Sequence, residues 1–555
     1  MNVAEYIVEE LISYGVTDTF GVPGGVILRI LYAMQSRTPK LTPHLNYHEQ
    51  MSGFAACGYA QASGQLGVAY ATRGPGITNM ITCIAEAYQE SLPVLFITAH
   101  NSSNLNQEMD LVESVSQFTK FAARADTVEE VFYILNQGCQ KALEGRRGPV
   151  FLDFPTGILG KKIDLHRKVN LPVLQSFQPN ISKFDEVIML LQKKIGESER
   201  PIILIGDGLR QIKNRSLVYE MILSLGIPVL SSRVAQDIVS QCELYFGYIG
   251  SHGTRYSNFI LSKTDLIIVI GNSLSFPLKS DSFSPILRNA QIIRLEIEEK
   301  EDLRVIPNSI NYYINVEEFI EYLLQKLIRA DSKSEWIKIC NEIKYNLEDF
   351  DVTTPVKKLI QYLKQEKAEK IYVCDVGNNE FWFSRAFEKV RPAGAVLYSK
   401  SFGTLGVALG RAIGAYYATK KEIICIIGDQ GFQYNIQELQ YISYWKIPIK
   451  IIVLNNSCSE MILDHEKVIF DQKLIHVTQE TGYSTPDFRN IAKGFNIKYI
   501  DEIEIKKYGI PSAPFIYEIH YKKECGLIPN LPTGNECQDM VPAIERTLYQ
   551  YLNKL

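Results

Sequence analysis

Apolar and polar positions follow one pattern three times along the chain. Each time a short aliphatic run leads into a glycine-bearing turn, a helix-length segment follows, and a proline opens the next aliphatic run. The three stretches begin at Gly67 with GVAYATRGPGITN, at Arg200 with RPIILIGDGLRQ and at Glu422 with EIICIIGDQGFQ. This alternation is typical of strand–helix–strand units with parallel strands. The sequence therefore predicts an α/β fold of three doubly wound parallel-sheet domains.

Two stretches without a clean period separate the three units. One, LPVLQSFQPNIS, lies near residue 175, and the other is a charged run from Arg329 through SKSEWIKICNEIKYNLEDFD. Connecting segments of this kind are where domain boundaries fall. We therefore predict an N-terminal domain at residues 1–178, a central domain at 182–328 and a C-terminal domain at 352–545.

The composition indicates a large soluble protein with small-molecule chemistry. The chain has 555 residues, of which 46% are hydrophobic and 22% charged, enough for more than one core. Its 58 basic and 62 acidic residues give a net charge of −4, which provides no electrostatic footprint for nucleic acid or an anionic membrane. We expect neither as a partner.

The cysteines and the N-terminus predict a cytoplasmic location. The ten cysteines form no Cys-x-x-Cys pair and lie mostly in apolar runs, which suits reduced packing residues. The N-terminal MNVAEYIVEELISYGV carries acidic residues where a signal peptide would be basic, and it has the pattern of an amphipathic helix. No apolar run reaches the ~18 residues needed to span a bilayer.

In the third unit, two strand ends carry oxygen ligands. Asp429 follows the run EIICIIG, and Asn455 and Asn456 follow IPIKIIVL. Because neighbouring parallel strands end at the same edge of a sheet, Asp429 and Asn456 can converge on one Mg²⁺, which prefers oxygen ligands. The small Gly431 lets backbone N–H groups approach a diphosphate. The alternative is a tight turn capped by aspartate, with two asparagines that simply end a strand.

These motifs resemble a known family. Gly-Asp-x-x-Phe at Gly428, Gln-Glu-Leu at Gln437 and Leu-Asn-Asn at Leu454 resemble the thiamine diphosphate motif of the acetolactate synthase family. The resemblance continues through FGVPGGVI, YHEQMSGFAACGYAQASG, RGPGITN, NQEMD, SHGTRYSNF, VGNNEFW and SFGTLGVALGRAIGA, in family order over most of the chain. It implies a pyrimidine-binding N-terminal domain, a central domain and a thiamine diphosphate-binding C-terminal domain, with thiamine diphosphate and Mg²⁺ as cofactors.

The resemblance gives Glu49 a catalytic role. In the family, this glutamate bonds the N1′ nitrogen of the cofactor's aminopyrimidine, which then removes the thiazolium C2 proton. Such an acid should lie in an apolar site that raises its pKa, and the small apolar residues after Glu49 suit that setting. A solvent-facing glutamate at a helix N-terminus is the alternative. Because the family's glutamate serves the partner chain's cofactor, a homodimer with active sites at the interface, or a homotetramer, is implied.

Other residues carry over from the family one at a time. The implied cofactor-binding residues are Val22, Pro23, Asn79, Asn379, Gly403, Leu405, Gly428, Asp429, Gln430, Gly431, Asn456 and Met461. The implied metal ligands are Asp429, Asn456 and Cys458, the last through its backbone carbonyl. Leu405 matches the residue that props the bent cofactor, although a core leucine is the alternative. Gln430 replaces a smaller family residue. Gln107, a further catalytic candidate, and Lys120 match residues turned toward the partner's active site, and a solvated lysine is an equal alternative for Lys120.

Three departures from the family pattern concern FAD and the acceptor substrate. GNSLSFPLKSD from Gly271 stands where flavin-binding members have GARFDDR, which puts FAD binding in doubt although SHGT is retained. His465 stands where biosynthetic members have a substrate-selecting tryptophan, and residues 460–462 read Glu-Met-Ile. We therefore expect an altered acceptor pocket, with a solvent-facing histidine as the alternative. The C-terminal LIPNLPTGNECQDMVP is similar to that of acetolactate synthase-like enzymes of surface-polysaccharide pathways.

The resemblance predicts an enzyme that decarboxylates pyruvate or a related 2-keto acid and transfers the acyl carbanion to a carbonyl acceptor. Two alternatives remain at this point. One is a non-oxidative 2-keto acid decarboxylase, and the other is a non-catalytic subunit on the same fold.

Overall fold

The structure is a computed structural model of the chain. It describes residues 1–101, 109–163, 181–274, 281–298, 306, 308–326, 333–348, 353–470, 473–522 and 526–555.

Three six-stranded sheets, each with parallel pairing throughout, form the framework of the described residues. The first contains β1 (Asp18–Gly21), β2 (Thr42–Leu45), β3 (Gly67–Tyr70), β4 (Val94–His100), β5 (Phe121–Arg124) and β6 (Val150–Pro155). The second contains β7 (Pro201–Ile205), β8 (Val229–Ser232), β9 (Tyr245–Ile249), β10 (Leu266–Ile270), β11 (Gln291–Glu296) and β12 (Ser309–Tyr313). The third contains β13 (Lys370–Cys374), β14 (Gly394–Tyr398), β15 (Ile423–Gly428), β16 (Ile449–Asn455), β17 (Lys498–Ile500) and β18 (Phe515–His520).

The strand orders are β2-β1-β3-β4-β6-β5, β12-β11-β10-β7-β8-β9 and β14-β13-β15-β16-β18-β17. In each sheet the order reverses direction, as in doubly wound folds, so ligands are expected at the carboxyl ends of the strands. The predicted fold class is confirmed.

Helices connect the strands of each sheet. Those of the first sheet are α1 (Val3–Ser13), α2 (Leu28–Gln35), α3 (Glu49–Ser63), α4 (Pro75–Glu90), α5 (Leu111–Val115), α6 (Val128–Leu143) and α7 (Thr156–Leu159). Those around the second are α8 (Ile181–Glu197), α9 (Ser216–Leu225), α10 (Gln236–Val239), α11 (Arg255–Ser262), α12 (Ser284–Asn289), α13 (Val316–Gln325) and α14 (Ser334–Leu347). The remainder are α15 (Thr354–Leu363), α16 (Asn378–Val390), α17 (Ala408–Thr419), α18 (Asp429–Tyr434), α19 (Glu438–Tyr444), α20 (Glu460–Ile469), α21 (Phe488–Gly494), α22 (Glu502–Tyr508) and α23 (Arg546–Lys554).

The crossover of the third unit differs from the sequence prediction. The pattern predicts one helix-length segment from Phe432 to Trp445, whereas the chain forms α18 and α19 with a break between them. At the break, the Asn435 side chain donates a hydrogen bond from Nδ2 to the carbonyl oxygen of Gly406 at 3.2 Å. A side chain that bonds backbone outside its own helix favours such an interruption. The break places Glu438 at the start of its own helix.

Packing divides the chain into two compact units. The first comprises Met1–Gln175, Ala368–Glu380 and Gly394–Lys523, and therefore contains the first and third sheets. The second comprises Ser176–Lys367, Phe381–Ala393 and Glu524–Leu555, and contains the second sheet. This division does not test the three predicted domain boundaries, which stay predictions.

In the first unit, α3 and α17 pack with their backbones in close contact. A Cβ atom on Gly414 would lie 1.8 Å from the carbonyl oxygen of Ala55, and one on Gly58 would lie 2.2 Å from the carbonyl oxygen of Arg411. Any side chain at either position would force the helices apart. The small residues after Glu49 therefore serve this helix contact, in line with the predicted close packing.

A buried ionic cluster lies beside the same helix contact. The Arg411 side chain is fully buried and donates hydrogen bonds to Glu86 and to Glu90, the latter at 2.8 Å. It also donates to the Gln61 side chain at 3.0 Å and to the Tyr398 carbonyl at 2.6 Å. Burying one cation with two carboxylates is tolerated because these bonds satisfy the charges.

Among the described residues, no helix is both long enough and apolar enough to cross a membrane.

Candidate functional site

The predicted site residues that the structure describes lie at the carboxyl ends of strands or in the helices that follow them. Those that follow β1, β2 and β3 are Val22, Pro23, Glu49 and Asn79. Those that follow or end β13, β14, β15 and β16 are Asn379, Gly403, Leu405, Gly428, Asp429, Gln430, Gly431, Asn456, Cys458 and Met461. Gln107 lies outside the described residues. The arrangement is the one expected for a ligand site on parallel sheets.

Asp429, the first residue of α18, has a carboxylate that is held by three hydrogen bonds. It is 4% exposed. Its Oδ1 accepts hydrogen bonds from the Gln430 amide at 2.9 Å and from the Tyr483 hydroxyl at 3.0 Å. Its Oδ2 accepts a hydrogen bond from the Ser457 amide at 2.9 Å. These three donors fix the carboxylate but supply no full positive charge.

The charge of Asp429 lacks a cation in the described part of the chain, where no ion pair involves it. Burial raises the pKa of Asp429 to about 6, while the hydrogen bonds from Tyr483, Gln430 and Ser457 act in the opposite direction. A buried carboxylate with this balance gains most from a bound cation, because the cation offsets the cost of desolvation. Asp429 therefore has the electrostatics of a metal ligand.

The two asparagines after β16 have different roles. Asn455 belongs to the sheet, because its Nδ2 donates to Glu518 at 2.6 Å and its Oδ1 accepts from the Ser457 amide at 2.9 Å. Asn456 lies one residue further, and its Oδ1 accepts from the Cys458 amide at 3.2 Å. Since the Ser457 amide also bonds Asp429, the 456–458 turn adjoins the Asp429 carboxylate. The predicted metal ligands Asp429, Asn456 and Cys458 are thus brought together.

Asp375, which sequence reasoning missed, connects two cofactor segments that were predicted separately. It is fully buried, and it accepts hydrogen bonds from the amides of Gly406 at 2.9 Å and Ala408 at 3.0 Å. Its carbonyl oxygen accepts a hydrogen bond from Asn379 Nδ2 at 2.7 Å. Burial raises the pKa of Asp375 to about 6. The available signal was its position directly after the strand run IYVC.

The Asp375 carboxylate also limits the space at the turn from Gly428 to Gly431. A Cβ atom on Gly431 would lie 2.9 Å from Asp375 Oδ1, so this position requires a small residue. A Cβ atom on Gly428 would lie 3.4 Å from Asn379 Oδ1, which places Asn379 beside the same turn. Gln430, which stands where the family has a smaller residue, is half-buried here, and its amide bonds Asp429.

The 403–406 loop presents Leu405 from the third sheet. Gly403 and Gly406 have φ angles of +75° and +80°, and they bracket a half-buried Leu405. Two hydrogen bonds hold the loop in place. The Gly406 amide donates to Asp375, and the Asn435 side chain donates to the Gly406 carbonyl oxygen. Leu405 is therefore an apolar side chain on a fixed loop, as its predicted role of supporting the cofactor requires.

Glu49 begins α3 and forms a pair with Asn79. The His48 imidazole caps this helix by accepting from the Gln50 amide at 3.1 Å. Asn79 Nδ2, on the exposed surface of α4, donates to Glu49 Oε2 at 2.9 Å. Glu49 itself is half-buried in this chain. In the described residues, no hydrogen bond or ion pair joins the Glu49–Asn79 pair to the Asp429 cluster.

Val22 and Pro23 follow β1 in the same part of the first sheet. Val22 is half-buried and Pro23 is exposed. The next residue, Gly24, is close to Thr72, since a Cβ atom on Gly24 would lie 2.4 Å from the Thr72 Cβ. The turns after β1 and β3 are therefore in contact, and α4, with Asn79, begins just beyond the second turn.

Helix α20 follows the 456–458 turn. Its first residue, Glu460, is buried and accepts a hydrogen bond from Asn456 Nδ2 at 2.6 Å. Met461 is half-buried, and His465, one turn further, is exposed in this chain. The exposure of His465 fits both a wall of a site completed by another chain and the solvent-facing alternative.

Two further predictions concern residues outside these clusters. Lys120 donates a hydrogen bond from Nζ to the Glu144 carbonyl at 2.6 Å. For FAD, the loop that replaces the flavin motif lies mostly outside the described residues, which include only Gly271 to Leu274 and Asp281 of that stretch. His252 of the SHGT motif is buried in the second unit, and burial lowers the pKa of its imidazole to about 4. FAD binding stays an open prediction.

The comparisons with known proteins cover all three sheets. Three family models match: the thiamine pyrophosphate enzyme N-terminal TPP binding domain at residues 1–120, the central domain at 189–323 and the C-terminal TPP binding domain at 375–509. The acetolactate synthase large subunit of Pyropia yezoensis is 30% identical over 89% of this chain and 86% of its own length.

Two further relatives match over most of their length. A probable acetolactate synthase large subunit of Methanocaldococcus jannaschii is 29% identical over 100% of this chain and 98% of its own length. The acetolactate synthase isozyme 2 large subunit of Escherichia coli is 27% identical over 90% of each chain. The buried Asp429 carboxylate, the glycine turn beside it and the loop of Leu405 lie within the matched C-terminal TPP binding domain. The chain belongs to the thiamine diphosphate-dependent, acetolactate synthase-like family, and it is an enzyme of the carboligase/decarboxylase type.

Proposed function

We propose that the enzyme binds thiamine diphosphate through Mg²⁺, decarboxylates pyruvate or a close 2-keto acid and transfers the acyl group to a carbonyl acceptor. The observation that carries the metal assignment is the buried Asp429 carboxylate, which has three hydrogen-bond donors and no cation among the described residues. Asp429, Asn456 and the Cys458 carbonyl would supply oxygen ligands, and Mg²⁺ takes its remaining ligands from phosphate and water.

The residues around Asp429 suit the cofactor. The turn from Gly428 to Gly431 has no side chain at either end, Gly431 packs against Asp375, and Asn379 lies next to Gly428. Leu405 provides apolar support from a loop that Asp375 holds in place. When bound, thiamine diphosphate supplies the carbanion chemistry that decarboxylates the 2-keto acid and carries its acyl group.

Glu49 would hold a proton at the cofactor's N1′ nitrogen. Its carboxylate is oriented by Asn79, which leaves the other oxygen, Oε1, available for such a bond. Its helix is fixed against α17 by the glycine contacts. The partial exposure of Glu49 is consistent with our proposal that the minimal active unit is a homodimer, in which Glu49 faces the cofactor of the partner subunit. The names of these relatives as large subunits support an assembly of more than one chain.

The acceptor is proposed to be a carbonyl compound that need not be a second pyruvate. His465 is an exposed polar side chain on α20, the helix that follows the 456–458 turn. Hydrogen-bonding groups in place of an indole favour a hydroxylated acceptor such as a keto sugar. We also propose a cytoplasmic location, which is supported by nine free, buried cysteines among the described residues.

Calorimetry tests the metal site. Thiamine diphosphate should bind the wild-type enzyme only when Mg²⁺ is present, and Asp429→Ala should abolish that binding. Glu480→Ala removes an exposed carboxylate of the same sheet region and is the matched control, which should bind as the wild type does. Unchanged affinity in Asp429→Ala would refute the metal assignment.

Labelled pyruvate tests the reaction. The enzyme is incubated with labelled pyruvate, thiamine diphosphate and Mg²⁺, together with keto acids, aldehydes or keto sugars, and the label is followed by mass spectrometry. Label in a ligated product other than acetolactate supports the proposal. Free aldehyde as the only product would favour the decarboxylase, efficient acetolactate formation the ordinary synthase, and no consumption the non-catalytic subunit.

A further inference from the structure

Glu438 is a buried carboxylate to which the proposed function assigns no role. It is the first residue of α19 and is 0% exposed. In the described residues no ion pair involves Glu438, and its site is therefore costly for a charge. Burial raises the pKa of Glu438 to about 7, against the opposing effect of its hydrogen bonds to Asn46, Tyr47 and His48. The desolvation cost of this buried carboxylate suggests that its hydrogen bonds have a function.

Among the described residues, the hydrogen bonds of the Glu438 carboxylate are with the turn that leads to Glu49. Oε2 accepts from Asn46 Nδ2 at 3.0 Å, and Oε1 accepts from the Tyr47 amide at 2.8 Å. This turn joins β2, which ends at Leu45, to α3, which begins at Glu49. The same turn is held on its other side by the Asn46 amide, which donates to the Gly21 carbonyl at 3.2 Å.

We propose that Glu438 is a positioning residue. By holding the turn at Asn46 and Tyr47, it fixes the position and orientation of the Glu49 side chain. The inference rests on the proposed role of Glu49. In the proposed homodimer, Glu438 connects the metal ligand of one active site to the acid that serves the other active site, because Asp429 begins α18 and Glu438 begins α19, the next helix. The segment that carries the metal ligand thus also holds the turn that carries the acid.

The amide of Asn46 permits a sharp test. Asn46 Oδ1 is buried and accepts no hydrogen bond from the part of the chain that the structure describes. In Glu438→Gln, the Asn46 amide can turn over, so that its oxygen accepts from the new Nε2 while the glutamine oxygen still accepts from the Tyr47 amide. Glu438→Gln should therefore behave almost as the wild type does. Glu438→Ala leaves both donors unpaired and should release the turn.

The measurement is the exchange of the cofactor's C2 proton for deuterium at saturating thiamine diphosphate and Mg²⁺, together with calorimetric cofactor affinity. In Glu438→Ala we expect the exchange rate to fall about 10- to 100-fold, because small displacements of a reacting group have effects of that size. Cofactor affinity should stay within about threefold, since the Asp429 cluster is untouched. Exchange at the wild-type rate in Glu438→Ala would overturn the proposal.

A charge exchange covers the case in which Glu438→Ala does not fold. Asn46→Asp alone places two carboxylates against each other in a buried site and should slow exchange strongly. Asn46→Asp combined with Glu438→Gln restores one carboxylate and one amide, and should recover most of the rate. If the double variant binds cofactor but exchanges no faster than Asn46→Asp alone, the turn is not held by this pair and the proposal fails.

Two controls distinguish a loss of Glu49 positioning from a general loss of stability and from a failure of the proposed function. Glu422→Gln removes a carboxylate that bridges Lys370 and Lys450 at the opposite strand ends, and should lower stability without slowing exchange. The wild-type enzyme tests the proposed function. If it does not accelerate exchange over free thiamine diphosphate, that function fails, whereas wild-type acceleration with normal exchange in Glu438→Ala refutes only the role of Glu438.

Discussion

Four carboxylates of the candidate site differ in burial and in hydrogen bonding, and these differences separate the buried ones from Glu49. Asp375, Asp429 and Glu438 are buried without ion pairs in the described residues and have raised pKa values. Glu49 lies at a partly exposed helix start, and within the described ranges its side chain is hydrogen-bonded to Asn79 alone. Asp375 holds backbone amides and Glu438 holds a turn, whereas we propose that Asp429 binds a metal ion and that Glu49 meets the cofactor.

Glu49→Gln should preserve cofactor binding and remove turnover. The amide keeps the size of the side chain and can still pair with Asn79, but it cannot exchange a proton with the cofactor's N1′ nitrogen. We expect pyruvate consumption to fall about 10²- to 10⁴-fold, the usual contribution of a positioned acid or base. Calorimetry should give wild-type affinity for thiamine diphosphate. Near-normal pyruvate consumption would show that Glu49 has another role.

Asp375 should make the protein less stable as the pH rises. The pKa of the Asp375 carboxyl is about 6 in the folded protein and 3.8 when the group is exposed, so its favourable contribution is complete below pH 3.8 and is lost as the pH rises through 6. Each unit of pKa difference corresponds to about 1.4 kcal/mol. Urea unfolding without cofactor should therefore show the wild type losing stability relative to Asp375→Asn between about pH 4 and about pH 6, with no further loss above about pH 7.

Asp487→Asn, at an exposed carboxylate of the same sheet region, gives the background for that comparison. A constant difference between the wild type and Asp375→Asn over this pH range would mean that the Asp375 carboxyl does not titrate there.

At the scale of elements, the sequence predicts strands and turns well and long-range partners poorly. Aliphatic runs and glycines mark β3, β7 and β15 because burial and turn geometry act locally. Asp429 and Asn456 were predicted because adjacent parallel strands end together. Glu438 and Asn46 meet although 392 positions separate them, and no local pattern reports such a contact. The break between α18 and α19 was missed for the same reason, since Asn435 bonds a loop outside its own helix.

The crossing of α3 and α17 gives a prediction at this scale. Gly414→Ala should lower the free energy of unfolding by about 3 kcal/mol, because the new methyl group would overlap the Ala55 carbonyl. It should also slow turnover, since α3 carries Glu49. Gly494→Ala, in α21 with no atom within 4 Å of the added Cβ, is the matched control and should be close to neutral. Chemical denaturation of both variants decides the matter. Equal stability of the two would show that the helices can separate without cost.

For the whole molecule, the proposed homodimer predicts complementation between two inactive chains. Glu49→Gln lacks the acid and Asp429→Ala lacks the metal ligand. If each site combines Glu49 of one chain with Asp429 of its partner, a heterodimer of the two variants contains one intact site. A statistical mixture is half heterodimer, so about a quarter of the wild-type activity should return on co-refolding. Mixtures that stay as inactive as the separate variants would place both residues of a site in one chain.

The Arg411 cluster restricts how this protein can be recombined with its relatives. Arg411 lies in the C-terminal TPP binding region, whereas the carboxylates that neutralise it, Glu86 and Glu90, lie in the N-terminal one, 325 and 321 positions away. A chimera that joins the C-terminal region of this chain to the N-terminal region of a relative without these glutamates would bury a guanidinium with no counter-ion. With such a relative, the N-terminal and C-terminal regions must therefore be transferred together, although the central domain lies between them in the chain.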